Sequence, residues 1–174
     1  VPSMIDNHFQ AKSFTFEGKT LNYQECHFQT SQPGDAALVV VLHGQYANGS
    51  DNESQLHQDA MIKIWHHLEV SNTKAIMLAP QCPTGSEWDE DPSKLARLSM
   101  AELLKAALDE YIKKQPGIDT SRIYILGYSA VFLWGLRARK ASGAAAYAAL
   151  AILAAGMVVY AFHMHSEYGT VMRL

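Results

Sequence analysis

A chain of 174 residues is long enough to bury one substantial core and too short for two ordinary domains, so residues 1–174 are read as a single domain. With 48% hydrophobic and 18% charged residues, the composition excludes a disordered chain. A net charge of −3 provides no basic footprint, so nucleic acid is not an expected partner.

In chain order, residues 8–30 alternate as strands do, with Phe14 and Phe16, then Leu21, Tyr23, Cys26 and Phe28, around a turn at Glu17-Gly18-Lys19. Pro33-Gly34-Asp35 turns the chain into Ala37–Leu42, an unbroken apolar run that suits a strand covered on both faces. His43-Gly44 opens a polar loop, in which Asp51-Asn52-Glu53 is expected to cap a helix near 55–69 carrying Met61, Ile64, Trp65 and Leu68. Ala75–Ala79 reads as a second buried strand ended by Pro80. After a loop at 81–92, Asp91-Pro92 is expected to start a helix with Leu95, Leu98, Leu104, Ala107, Leu108, Tyr111 and Ile112 on one face. That helix should stop at Pro116-Gly117, and Ile123–Leu126 is the third buried strand.

From Ala141 to Phe162 the chain holds 22 uncharged residues behind Arg137, Arg139 and Lys140. Length and basic flank suit a membrane helix, but nearly half the stretch is alanine and Gly156 divides it. A buried helix followed by two short core strands is the expected structure, and no membrane partner is expected. The N-terminal residues carry no signal-peptide apolar region, and the compartment stays open among cytoplasmic, periplasmic and secreted.

Alternating buried strands and helices imply an α/β fold with a mainly parallel, doubly wound sheet. Functional groups on such sheets gather at the carboxyl ends of the strands, where His43-Gly44, Gln81-Cys82 and Ser129 all fall. Gly127-Tyr128-Ser129 ends an apolar strand as a nucleophile elbow does, with the Ala130 amide next in line for a developing oxyanion. Gln45, just beyond His43-Gly44, is placed to supply a second amide.

Three segments, "LVVVLHGQYANGSDNESQL", "LAPQCPTGSEW" and "SRIYILGYSA", together resemble the α/β-hydrolase superfamily. More narrowly they are similar to its esterase branch of predicted peptidases, polyhydroxybutyrate-depolymerase-like proteins and feruloyl or acetyl-xylan esterases. The resemblance covers roughly residues 35–130 and implies Ser129 as nucleophile, the Gln45 and Ala130 amides as oxyanion hole, and a small carboxylic ester as substrate. It also implies an acid and a histidine further along. In "VVYAFHMHSEYGTV" the available carboxylate is Glu167, and His163 and His165 stand beside it near the expected carboxyl edge of the sheet. The family's two glycines after the serine are Ala130-Val131 here, and no histidine follows Glu167, as if the sheet were short or truncated at its C-terminal end.

Trp88, on the loop after the second buried strand, is a candidate for lining the substrate pocket. His43 is expected to organise its loop rather than act as a base, and His57, His66 and His67 belong to a helix surface. Glu87, Asp89, Glu90 and Asp91 are expected to form a solvated acidic loop. Neither these groups nor the separated Cys26 and Cys82 have metal-ligand spacing, so neither a metal nor another cofactor is expected. Two functions therefore compete, a serine esterase and a non-catalytic protein of the same fold that binds a ligand or partner. An incompletely covered sheet edge makes a homodimer a reasonable expectation.

Overall fold

The computed structural model describes residues 8–29, 33–44, 46–88 and 98–127, and the backbone of two further strands at 147–154 and 157–164. Its strands are β1 (Gln10–Phe16), β2 (Lys19–Phe28), β3 (Ala36–Leu42), β4 (Ala75–Gln81), β5 (Ile118–Gly127), β6 (Tyr147–Ala154) and β7 (Met157–Met164). Among the described residues, two α-helices lie in the connections between the central strands, α1 (Asp59–Val70) after a short 3-10 turn at Ser54–His57, and α2 (Met100–Lys114). The seven strands form one sheet in the order β1-β2-β4-β3-β5-β7-β6.

Parallel pairing is confined to the centre, where β3 lies between β4 and β5. The β1-β2, β2-β4, β5-β7 and β6-β7 pairs are antiparallel. From β3 the chain crosses through α1 to β4, then returns through α2 to β5 on the other side of β3. Right-handed crossovers taken in opposite directions must put their helices on opposite faces.

The cores agree with that rule. Leu38, Val40 and Leu42 join Ile76, Leu78, Ile123 and Ile125 under Met100, Leu103, Leu104, Leu108 and Ile112 of α2. Ala37, Val39 and Val41 join Met77 and Phe28 on the opposite face, under Met61, Trp65 and Leu68 of α1. The alternation along β3 divides its apolar run between two cores, while the 3.6-residue period keeps each helix's apolar stripe on its own face.

Several boundaries differ from the sequence expectation for local reasons. The Glu17-Gly18 turn takes φ of 48° and 75°, the doubly left-handed geometry that matches strand twist in a two-residue hairpin. The helix near 55–69 is broken at Gln58, whose extended backbone (φ −76°, ψ 138°) separates the 3-10 turn from α1. Pro80 does not end β4, which runs on to Gln81 and pairs Pro80 with Tyr23. Helix α2 starts at Met100, where Ser99 and Glu102 form a reciprocal capping box that satisfies the first-turn amides, and the expected start at Asp91-Pro92 lies outside the described residues.

The alanine-rich stretch is also corrected. Tyr147–Ala154 is a strand and not a helix, paired residue for residue with Met157–Met164, from Tyr147 with Met164 to Ala154 with Met157. An uncharged run has no polar face to set a helical period, so its pairing decides its structure. Among the described residues no helix is long and apolar enough to cross a membrane.

Leu38→Ala removes a fully buried side chain of the central strand and is expected to cost about 3 kcal/mol. Ser99→Ala should cost about 1 kcal/mol by opening the capping box. Urea unfolding of the two variants checks both magnitudes and their order.

Candidate active site at the carboxyl edge of the sheet

In the β3-β5 register Leu42 pairs with Gly127, so the two strands end level with each other. Their onward connections leave in opposite directions, which makes this edge the topological switch point of the sheet. His43-Gly44 leaves β3 here. Gln45, Ser129 and Ala130 follow these ends in sequence and lie outside the described residues.

His43 is 4% exposed and bonded at both ring nitrogens. Its Nδ1 donates to the Gly44 carbonyl at 2.7 Å, and its Nε2 accepts from the Cys82 amide at 2.8 Å. One neutral tautomer satisfies both bonds. Burial holds its pKa below the usual histidine value, against a smaller opposing effect of the Gly44 bond. His43 is therefore a strut between the β3 and β4 exits, with no lone pair left to accept a proton.

Trp88 completes that strut. Its indole N–H donates to the His43 carbonyl at 3.2 Å, and its ring meets the imidazole at a 62° interplanar angle with centroids 5.4 Å apart. It is half-buried and packed against the α2-side core. Its polar atom is thus spent on scaffold, whatever else its exposed part touches.

Three glutamines, of which the sequence reading placed only Gln81 at a strand end and gave none a role, hold the rest of this edge. Gln58, at the break before α1, accepts from the Gly44 amide at 2.9 Å. Gln81, 1% exposed at the end of β4, donates to the Ala47 carbonyl at 3.0 Å and to Asp51 Oδ1 at 2.6 Å, and accepts from the Asn52 amide at 2.8 Å. Gln55 donates to Asn52 Oδ1 at 2.8 Å and to the Ala79 carbonyl at 3.2 Å. Gly49 donates to the Cys82 carbonyl at 3.0 Å, and a Cβ there would lie 3.1 Å from Gln81 Nε2. That close approach is the reason for glycine at 49.

Asp51 accepts from the Glu53 and Ser54 amides at 3.0 and 3.2 Å, at the entry to the 3-10 turn, while α1 itself starts after Gln58 without a side-chain cap. The Ser54 hydroxyl, these amides and Gln81 together hold its carboxyl well below the usual carboxylate range. Polar side chains on a loop carry no hydrophobic period, so only the opposition of Gly-x-Asp-Asn to Pro-Gln-Cys in the sequence could have pointed to this clamp.

The described residues at the edge enclose a small space between Leu42, His43, Gln58, Met61, Leu126 and Gly127. It measures about 10 Å³, room for one water and not for a substrate. No three His, Cys, Asp or Glu side chains gather to hold a metal among the described residues.

Of the histidines that the sequence reading set beside Glu167, only His163 lies on a described strand. Strand β7 is antiparallel to β5, with Tyr160 opposite Gly127 and His163 opposite Tyr124. His163 therefore sits three pairs, roughly 10 Å, below the carboxyl edge. The chain leaves β7 at Met164 toward the amino end of β5. His165 and Glu167, which follow, lie outside the described residues.

Gln81→Leu strands the Asn52 amide and the Ala47 carbonyl, and is expected to destabilise the fold by about 2 kcal/mol. Faster amide exchange at residues 49–52 would accompany the lower urea midpoint. The depressed His43 pKa means that the unfolded chain binds a proton which the folded chain refuses. Its stabilisation is complete above about pH 6.5 and falls away as the pH drops below that. Urea midpoints measured between about pH 7 and 5 should decline, and His43→Gln should flatten the decline.

No protein-family model and no curated protein matches the chain. Among solved structures, a thermostable esterase superposes with a TM-score of 0.57 at 23% identity, over 76% of this chain and 38% of that one. Est1E from Butyrivibrio proteoclasticus superposes with a TM-score of 0.45 at 18% identity, over 68% of this chain and 40% of that one. The chain thus spans well under half the length of either neighbour. With a parallel centre, helices on both faces and strand ends level at a switch point, the chain has the α/β-hydrolase fold.

Proposed function

We propose that this chain carries the nucleophile half of a serine esterase site, acting on a small carboxylic ester. Ser129 Oγ attacks the carbonyl carbon, and the negative charge that develops on the carbonyl oxygen is held by the Gln45 and Ala130 amides. The alkoxide leaves as alcohol with the serine proton, and water then releases the acid from the acyl-serine. The observation that carries this reading is the pairing of Leu42 with Gly127. It brings the chain to Gln45 and to Ser129 from adjacent strand ends, each no more than three residues from a fixed backbone position. The rigid His43-Gln58-Gln81 frame supports it, because an oxyanion site works through donors that need no reorganisation.

The direction of β7 favours a second reading, a protein of the same fold that binds an ester without turning it over. Serine needs a base to be a good nucleophile near neutral pH, and β7 ends at Met164 on the way toward the amino end of β5. The proposal therefore assigns His165 and Glu167 no proton transfer.

Hydrolysis of 4-nitrophenyl acetate separates the readings. Ser129→Ala is expected to lower the rate by about 1,000-fold or more, and an unchanged rate would remove Ser129 as nucleophile. His165→Ala and Glu167→Gln are expected to leave the rate unchanged. A loss approaching that of Ser129→Ala would restore the acid–base role suggested by the sequence. No hydrolysis by the parent chain would establish the binding-only reading.

A further inference from the structure

Strand β1 ends the sheet on one side, and among the described residues β2 is the one strand bonded to it. Every residue of β1 except Phe14 is exposed. The residues that lead into β1 do not run along its outer edge. Phe9 packs on the α1-side core, and the His8 ring lies 5.4 Å from Trp65 of α1.

The hairpin decides which backbone groups that edge presents. Its left-handed Glu17-Gly18 turn makes Phe16 and Lys19 the closing pair of a two-residue loop, and such a pair exchanges N–H···O bonds. Bonded and unbonded pairs alternate along an antiparallel ladder, so Phe14 and Lys12 also bond to β2. Thr15, Ser13 and Ala11 stand in the unbonded pairs, and their N–H and C=O groups point away from β2. The Thr15 and Thr20 hydroxyls, 2.9 Å apart, agree with this, because side chains approach most closely in unbonded pairs.

We propose that β1 is the dimerisation edge of this protein, pairing antiparallel with β1 of a second copy about a two-fold axis at Ser13. Ser13 is the middle residue of Gln10–Phe16, so this register alone pairs the whole strand with itself. Ser13 then meets the second copy's Ser13, and Ala11 meets its Thr15, each pair exchanging both N–H···O bonds. Such a contact is isologous and closes after two copies.

The side chains fit that axis. Lys12, the strand's one charge, faces the second copy's Phe14, and Gln10 faces its Phe16, which is 40% exposed in the single chain. The Phe14 and Phe16 rings stack 6.3 Å apart and offer Lys12 an aromatic surface. A register centred on Lys12 would instead set two ammonium groups directly opposite each other, which is destabilising. The lysine that deters other pairings of this edge is thus accommodated in the centred one. The opposite face carries only Ala11, Ser13 and Thr15, small enough for two strands to approach. A foreign strand could meet the same backbone groups but not this reciprocal pairing. Strands β2 and β4 stand between β1 and β3, so the association is tested independently of the esterase reading.

Seven paired residues make an interface well under about 1,200 Å², so a weak, concentration-dependent dimer is expected. Sedimentation velocity of the full chain should show monomer at about 1 μM and dimer at about 200 μM. Ser13→Glu and Ser13→Lys should each remain monomeric at the higher concentration, because like charges then meet at the axis. An equimolar mixture of the two should dimerise again. Ser13 is exposed and belongs to neither core, so both variants should keep the parent's circular dichroism. Ser13→Pro removes an outward N–H that β2 does not use, and should also fold and stay monomeric. Should it fail to fold, the charged mixture still decides. A parent chain that stays monomeric at about 200 μM would overturn the proposal. A dimer kept by the single charged variants would move the contact to another surface and overturn it equally. A mixture that fails to associate would reject the axis at Ser13.

Discussion

Strand β3 has no exposed residue: all of Ala36–Leu42 is buried, with successive side chains given to opposite cores and both backbone edges paired. A one-residue slip would exchange the two faces and misplace Leu38, Val40 and Leu42 relative to α2. The register to β4 and β5 is therefore fixed by packing on both sides at once. Everything at the candidate site inherits its position from that register, because the polar loop begins where β3 ends.

The loop is held by means different from those holding the sheet. Neutral groups make most of the contacts: an imidazole between two backbone groups, the Gln58 and Gln81 amides bonded to backbone groups, and the Gln55 amide through its N–H donors. Buried ion pairs in this place would carry a large desolvation cost, and water would loosen the loop. Amides hold it at low electrostatic cost provided their partners are present, which makes the clamp rigid and intolerant of substitution. The absence of a Cβ at Gly49 and the left-handed backbone at Asn52 are local concessions to that clamp.

The outer strands bear on function through their direction. An antiparallel β7 beside β5 keeps the sheet hydrogen-bonded but sends the following chain toward the opposite edge from the β3 and β5 exits. Nucleophile and general base in a serine hydrolase must meet within hydrogen-bond reach. The pairing at this side of the sheet sets the direction in which the chain continues beyond Met164.

The sequence by itself determined the parts governed by short-range periodicity and turn chemistry. These were the hairpin at Glu17-Gly18, the buried run of β3, the apolar stripes of α1 and α2, and the convergence of His43, Gln81 and Gly127 at strand ends. Such features depend on residues within a few positions of one another. Only the tertiary structure decided the start of α2 at Ser99, the strand in the alanine-rich stretch and the antiparallel course of β7. The first depended on the reciprocal capping bonds that Ser99 and Glu102 make. The other two depended on which neighbour an uncharged run pairs with, and such a run has no polar face to choose one. The clamp by Gln58, Gln55 and Gln81 was hidden for a related reason. A glutamine's partners lie across the fold, as Gln81 and Ala47 do, and nothing in the local pattern distinguishes a clamping amide from a solvated one.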